Sequence, residues 1–263
     1  MYQFFVENEQ IDLNREQVHI TGSDVNHIKN VLRMKAGEMV RISNQQGRDD
    51  LAQVAKLSDQ EVLLDIVSYD VASTELPSKI YLFLGIPKGE RMETVIEKAV
   101  ELGVYEIIPV AMKYCVVRLD EKKAAKKTAR WQEIARSAAK QSKRSIIPKV
   151  HDVMSFAEAV AYANSSDVRL VPYENEAGMT ATKEALQTIK TGDSISVFIG
   201  PEGGISDAEI EVLRQDAKVL SLGKRILRTD TAAISAMTML MLYLEMLGGS
   251  AQGDGCESSF ANA

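Results

Sequence analysis

A chain of 263 residues is long for one domain and short for three, and its 45% hydrophobic content supplies enough core for one or two compact units. A net charge of -6 argues against a uniformly basic nucleic-acid binder, and the two cysteines, Cys115 and Cys256, lie outside any CxxC or His-rich spacing, which excludes a disulfide framework and a structural zinc site. MYQFFVENEQ lacks the pattern of a secretory signal and the apolar stretch Ala232 to Leu244 is too short to span a bilayer comfortably, so the expectation is a soluble, cytoplasmic protein that needs neither membrane nor metal.

Residues 1–70 carry alternating stretches of strand length, Gln17 to Ile20, Glu38 to Ser43, Leu51 to Leu57 and Glu61 to Val67, separated by turn formers such as Asn44-Gln45-Gln46-Gly47 and Ser58-Asp59. One helical insert, Ser23 to Arg33, starts at a Ser cap and sets Val25, Ile28 and Leu32 near one face. This pattern predicts a small β-barrel. The polar stretch Ser68 to Ser78, which holds Pro77, reads as a linker.

Beyond it, apolar strands alternate with helices. Ile80 to Ile86 has the look of a buried strand, and Glu90 to Leu102 follows with Met92, Val95, Ile96, Ala99 and Val100 at helical spacing before Gly103 stops it. Glu106 to Val110 is the next strand and Ala129 to Lys143 the next helix, with Trp131, Ile134, Ala135, Ala138 and Ala139 facing inward. Further strands are expected at Val168 to Pro172, Ser194 to Gly200 and Lys218 to Leu222, which together imply a mostly parallel sheet covered by helices. The last helix, Thr231 to Leu247, is apolar around most of its circumference and calls for burial on more than one side, in the core or against a second subunit. The tail after Gly248 has too little apolar content to pack.

Two loops stand out for chemistry. In SVFIGPEGGISDAEI, an apolar strand runs into Gly200-Pro201-Glu202-Gly203-Gly204, and Ser206 and Glu209 open the next helix in capping-box spacing. The glycines remove Cβ atoms where a flat ligand or another chain segment approaches the backbone; a phosphate cradle is excluded, because neither GKS/GKT nor GxGxxG is present here. The second loop, Leu222 to Thr231, also joins a strand end to a helix start, and ligands of open α/β sheets bind beyond such strand ends. Within it Arg228 is held against the polarity of the following helix, which points to an anionic partner.

The negative average hides a segregation of charge. Residues 113–149 carry twelve Lys or Arg against three acids, a balance of +9 that leaves -15 for the remainder. On the predicted 129–143 helix, Arg136, Lys140 and Lys143 form a stripe that Arg144 continues, suited to a phosphate backbone, with a solvated helix face as the bland alternative. Arg33, Lys35, Arg41 and Arg48 are the cations that would extend the track.

KGERMETVIEKAVELGVYEIIPV at 88–110, RWQEIARSAAKQSKRSIIPKV at 130–150, FIGPEGGISDAEI at 198–210 and LGKRILRTDTAAISAM at 222–237 together resemble, in family order, the RsmE family of 16S rRNA (uracil-N3)-methyltransferases. HIKNVLRMKAGEMVRI at 27–42 looks like that family's PUA-like barrel. The resemblance implies an α/β fold: a SPOUT-type parallel sheet over 80–247 with a C-terminal trefoil knot, plus a small N-terminal PUA-like RNA-binding β-barrel over 1–70, a linker at 71–79 and a flexible tail at 248–263. It implies a homodimer whose cofactor is S-adenosylmethionine, held by Pro172, by Ile199, Gly200, Pro201, Glu202 and Gly203, and by Leu222, Gly223, Ile226, Leu227 and Thr231. Its partner would be 16S rRNA or the 30S subunit, contacted through Arg33, Lys88, Arg91, Arg136, Lys140 and Arg144. Two positions depart from the family pattern: Lys140 stands where an acid is usual, and Tyr114 where an Arg is frequent.

Methyl transfer from a sulfonium is an in-line displacement, so uridine N3 must be held behind the methyl group and left deprotonated. Arg228 is the candidate catalytic residue, because a cation beside the imide favours its anion, and Glu202 and Asp230 are the nearby acids that could take the proton. The barrel is expected to supply RNA affinity and the second domain the chemistry. The rival readings are a SPOUT ribose 2'-O-methyltransferase and a non-catalytic RNA-binding assembly factor.

Overall fold

The computed structural model describes residues 1–71, 73–174 and 178–249. The chain falls into two units, Met1–Glu75 with Arg136–Ile147, and Leu76–Ala135 with the chain from Pro148 onward.

In the first unit β1 (Tyr2–Phe5), β2 (Ile11–Asp12), β3 (Gln17–Thr21), β4 (Met39–Ser43), β5 (Asp49–Leu57) and β6 (Glu61–Ser68) form one sheet in the order β1-β4-β5-β6-β3-β2. Only β1 against β4 is parallel. Period-two alternation sends Val18 and Ile20, Val40 and Ile42, Ala52 and Val54, and Val62, Leu64 and Ile66 into a single core. Each large aliphatic side chain so buried contributes about 1.5–3 kcal/mol. The helical insert is α1 (Ser23–Asn26) followed by one π-helical turn, His27–Val31, and adds Val25 and Ile28 to that core. It ends where Arg33 takes a left-handed φ of 54°. The strands β1 and β2 carry no clear alternation in sequence and were not among the expected elements.

The basic run expected to stay with the second domain instead contributes its end to this unit. Gln3 Nε2 donates to Ser43 Oγ at 2.7 Å and to the Arg144 carbonyl at 2.6 Å. Ser145 Oγ donates to the buried carboxylate of Asp49, which also takes Arg41 and Ser43. Glu75 receives the Arg144 guanidinium, the Ser145 amide at 2.8 Å and the Ile146 amide at 3.3 Å. Residue 75, read from sequence as linker, is therefore an anchor.

The second unit holds β7 (Lys79–Gly85), α2 (Arg91–Glu101), β8 (Glu106–Ala111), α3 (Glu121–Gln141, of which the turns to Ala135 belong here), β9 (Lys149–Val150), β10 (Met154–Ser155), α4 (Phe156–Ala163), β11 (Val168–Pro172), α5 (Thr180–Gln187), β12 (Ser194–Ile199), α6 (Asp207–Leu213), β13 (Lys218–Leu220) and α7 (Thr229–Gly249). The sheet runs β10-β8-β7-β12-β11-β13 with β9 also on β8, and every pairing is parallel. Its central strands are near-continuous apolar runs because helices cover both faces. Phe83 and Phe198 stack on neighbouring strands with centroids 4.4 Å apart. At the head of β8, burial raises the pKa of Glu106, but hydrogen bonds from His151 Nε2 (2.6 Å) and Tyr162 Oη (2.7 Å) outweigh it and hold the carboxyl below its usual range.

Helix α7 packs on α2 and β12, yet only 28% of its apolar stretch is buried within the chain. Leu242 and Met246 remain 50% and 65% exposed. The tail expected at 248–263 lies, beyond residue 249, outside the described residues.

Candidate functional site

Parallel pairing makes β11, β12 and β13 end on the same side of the sheet: Pro172 lies opposite Leu220, and Ile199 opposite Leu84 at the end of β7. The loops that leave these ends, Pro172–Glu174, Ile199–Ile205 and Ser221–Thr229, wall a cavity of about 390 Å³, with Arg91 and Ala232 completing it. This volume lies in the range of small-molecule sites, at the place where open α/β sheets bind ligands.

Each loop is built by local chemistry. The first leaves β11 with the Tyr173 amide on the Leu220 carbonyl at 3.0 Å, which ties it to the end of β13. The second is pressed against the sheet. A Cβ on Gly85 would meet Pro201 Cδ at 2.6 Å and Pro201 N at 2.7 Å, so the glycine that ends β7 lets the loop sit down. Gly203 does the same for a neighbouring segment, since a Cβ there would stand 2.7 Å from Tyr114 Cβ. Gly204 turns with φ +75° and closes on the Pro201 carbonyl at 2.9 Å. Behind it, Glu209 accepts from Ser206 N (3.0 Å), Ser206 Oγ (2.7 Å) and Lys113 N (2.8 Å), which starts α6 and pins the 112–115 segment at once. Such a cap stabilises by about 1 kcal/mol.

The third loop begins where Ser221, 3% exposed, exchanges hydrogen bonds with Thr182 of α5: Thr182 Oγ1 donates to Ser221 O at 2.7 Å and accepts from Ser221 N at 3.1 Å. Gly223 follows at φ +114°, a conformation that disfavours any L side chain. The loop ends when Ala232 N closes the first turn of α7 on the Arg228 carbonyl at 2.7 Å.

The cavity has an apolar wall of Ile199, Pro201, Ile205, Leu222 and Leu227 and a charged rim of Arg91, Glu174, Glu202, Lys224, Arg225 and Arg228. Glu202 Oε1 accepts from Arg91 Nη1 at 2.5 Å and from the Lys88 amide at 2.9 Å, so its carboxylate lies at the positive N-terminal end of α2. Burial raises its pKa, and the amide and guanidinium together bring it below the usual value. Asp230 Oδ1, one residue into α7, is buried with no hydrogen-bond partner among the described residues.

Of the residues expected at the cofactor, Pro172, Ile199, Gly200, Pro201, Glu202, Leu222, Gly223, Ile226 and Leu227 converge on the cavity, and Arg228 lines it with them. Gly203 and Thr231 do not: Gly203 faces Tyr114, and Thr231 is exposed on α7. Tyr173, Glu174, Ile205, Ser221, Lys224 and Arg225 line it without having been singled out. Lys224 and Arg225 sit inside the motif already noticed, and their charge was the available signal.

The expected RNA contacts fare differently. Arg33 and Lys88 are exposed, and so is Arg136. Lys140 lies 3.3 Å from Asp24. Arg144 is corrected outright: it is 3% exposed and ion-paired with Glu75, hence a buried structural cation. Arg41 and Arg48, considered as extensions of the track, are paired with Asp49 and with Asp50 and Asp70. Among the described residues no group of three or more His, Cys, Asp or Glu is placed to share a metal ion.

Residues 74–241 match the family described as RNA methyltransferase domain, and residues 20–67 match the RNA methyltransferase PUA domain. The ribosomal RNA small subunit methyltransferase E of Bacillus subtilis is 36% identical over 249 residues, 91% of this chain and 97% of its own. Among solved structures, the ribosomal RNA small subunit methyltransferase E of Neisseria gonorrhoeae bound to S-adenosyl methionine superposes with a TM-score of 0.78 at 31% identity, covering 92% of this chain and 97% of its own. A Legionella pneumophila methyltransferase in complex with bound S-adenosyl methionine gives 0.77 at 30% identity, with coverages of 92% and 97%.

Proposed function

Because the chain belongs to the ribosomal RNA small subunit methyltransferase E family, with a PUA domain ahead of its parallel-sheet domain, we propose that it methylates N3 of one uridine in 16S rRNA, using S-adenosylmethionine, in the cytoplasm. One observation carries this reading: a cavity of about 390 Å³ is walled by the three loops beyond the strand ends, in a chain that superposes over 92% of its length with relatives bound to the cofactor.

The residues present fit that cofactor. A flat purine suits the apolar wall of Ile199, Pro201, Leu222 and Leu227, and the left-handed Gly223 leaves the backbone bare beside it. Pro172, Gly200 and Glu202 border the remainder. The bound cofactor supplies an electrophilic methyl group on a sulfonium. The chain's own task is to hold an unpaired or extruded uridine in line with it and to keep N3 deprotonated. Arg228, at the cavity wall, stabilises the imide anion. Glu202 is committed to Arg91 and Lys88, and Asp230 lies off the cavity lining with its Oδ1 buried, so neither acid stands free at the cavity to accept the N3 proton. Asp230→Asn tests whether that acid turns toward the substrate: loss of a general base lowers kcat about 100-fold, and wild-type turnover in the variant assigns the base elsewhere. Arg33, Lys88 and Arg136 provide exposed charge for the RNA.

The test is labelled cofactor incubated with 30S particles and with naked 16S rRNA, followed by nucleoside analysis. 3-Methyluridine at a single position is the expected product. A 2'-O-methylated nucleoside would replace the base chemistry with ribose chemistry, and absence of label in both substrates would end the catalytic reading.

The same reading extends to a PUA-like barrel in the first unit, to the trefoil knot of SPOUT enzymes, formed where the cavity loops converge, and to a homodimer. The exposed apolar side of α7, with Leu242 and Met246, supports the dimer, since a helix this apolar is stable in water only when covered. Sedimentation is expected to give twice the chain mass for the wild type and a shift toward the monomer for Leu242→Glu with Met246→Glu; a monomeric wild type removes the dimer.

A further inference from the structure

We propose that Lys224, Arg225 and Ile226 form an RNA-gripping ridge at the mouth of the cavity, the two cations taking the phosphates that flank the target uridine and Ile226 packing on a neighbouring base or ribose. The inference rests on the rRNA methyltransferase reading and adds to it the surface that holds the substrate beside the reaction centre.

Charge accounting leads there. Three of the six cations that the resemblance assigns to RNA already have a carboxylate: Arg91 has Glu202, Lys140 has Asp24, and Arg144 has Glu75. A phosphate would have to compete with each of these acids. Lys224 and Arg225 are exposed and, among the described residues, neither is ion-paired. They are adjacent in sequence, both line the cavity, and they share its rim with Arg228. Glu174 is the remaining acid on that rim, so cations dominate it. Phosphate contacts are what such exposed cations ordinarily make to RNA.

Ile226 is the second, independent observation. It is 86% exposed, more than any other large hydrophobic side chain among the described residues, although its neighbour Leu227 turns inward. Chain geometry therefore presents one bare apolar side chain between cations. Unstacked bases and ribose rings offer an apolar face bordered by phosphates, which is the complementary pattern. The carboxylate of the cofactor's amino-acid moiety is the competing anion, and Ile226, which borders the cavity as well as solvent, is open to the cofactor too, so cofactor affinity is read beside RNA affinity.

The test uses the full-length protein, with 30S particles and S-adenosylmethionine as separate ligands. In the Lys224→Gln, Arg225→Gln double variant, particle binding is expected to weaken about tenfold at ~0.15 M salt. The slope of log affinity against log salt should become shallower by about 1.4, the value for two phosphate contacts on a single strand. Calorimetric affinity for S-adenosylmethionine should be retained within about twofold. Ile226→Ser should weaken particle binding several-fold with the salt slope and S-adenosylmethionine affinity unchanged, and a parallel loss of cofactor affinity would return Ile226 to the cofactor. An unaltered slope in the double variant overturns the proposal, and so does an equal loss of cofactor affinity, which would assign the cations to the cofactor's carboxylate. Binding is read without turnover, so these outcomes are separate from failure of the wild type to methylate, which would strike the underlying function instead.

Discussion

Arg228→Ala is expected to lower kcat by about 10²–10³ at saturating cofactor and particle, the usual effect of removing one donor from a site where negative charge develops. The argument is geometric and electrostatic together. Arg228 lines the cavity, its side chain is exposed, and no carboxylate among the described residues is paired with it. Its backbone is fixed, because its carbonyl takes the first hydrogen bond of α7, so the guanidinium is carried by a rigid helix start. In the proposed reaction the nucleophile is an imide nitrogen that attacks only after losing its proton. A nearby cation favours the anion in the transition state more than in the neutral ground state, so the effect falls on kcat. The pH dependence follows with a definite sign. Without the guanidinium less imide is ionised at neutral pH, so the rate of the variant should climb with rising pH further than that of the wild type. Arg228→Lys, which restores charge but not the planar fork, should recover only part of the loss. Near-normal turnover in Arg228→Ala would show that uridine is activated by another group.

Arg144→Ala is expected to destabilise the first unit by about 3–5 kcal/mol, the range for breaking a buried ion pair from one side. Arg144 is buried at 3% exposure, and Glu75, which is partly buried, also accepts the Ser145 and Ile146 amides. Removing the guanidinium leaves a carboxylate among backbone donors with its principal countercharge gone. For a unit of this size, that loss lowers the melting temperature by roughly 10–30 °C. Urea titration of Arg144→Ala, Glu75→Ala and the double variant provides the check. The double variant should be less damaged than the sum of the singles, because no orphan charge remains. Under conditions where Arg144→Ala is still folded, its rRNA affinity should match the wild type. A wild-type urea midpoint with lost rRNA affinity would return Arg144 to the RNA surface.

These two arginines show where local pattern is informative. The structure places Arg228 on the cavity lining, and it was singled out from sequence on local evidence, a cation beside a helix start in a loop that follows a strand. The same holds for Ser206 and Glu209, whose spacing announces a cap, and for β3 through β6, whose alternation exposes their inward faces. Arg144 was misread because its neighbours in sequence, Lys143 and Lys140, make it look like one more step in a basic stripe. Its burial depends on Glu75, 69 positions away, and on Gln3, 141 positions away, and no period reports partners at such separations.

By itself the sequence determined the alternation of strands and helices, two of the three loops that wall the cavity, and, through its motifs, the family. Tertiary structure decided which chain segments share a unit, so that 136–147 joins the first while both its flanks belong to the second. It also decided the duty of individual residues. Gly203 yields to the Cβ of Tyr114, Gly85 to Pro201, and Glu202 to Arg91, while Ile226 is left exposed at the cavity. The physical reason is the range of the forces. Backbone hydrogen bonding and side-chain periodicity act within a few residues and leave a repeating trace in the sequence. Close packing and charge pairing act between surfaces brought together only by folding.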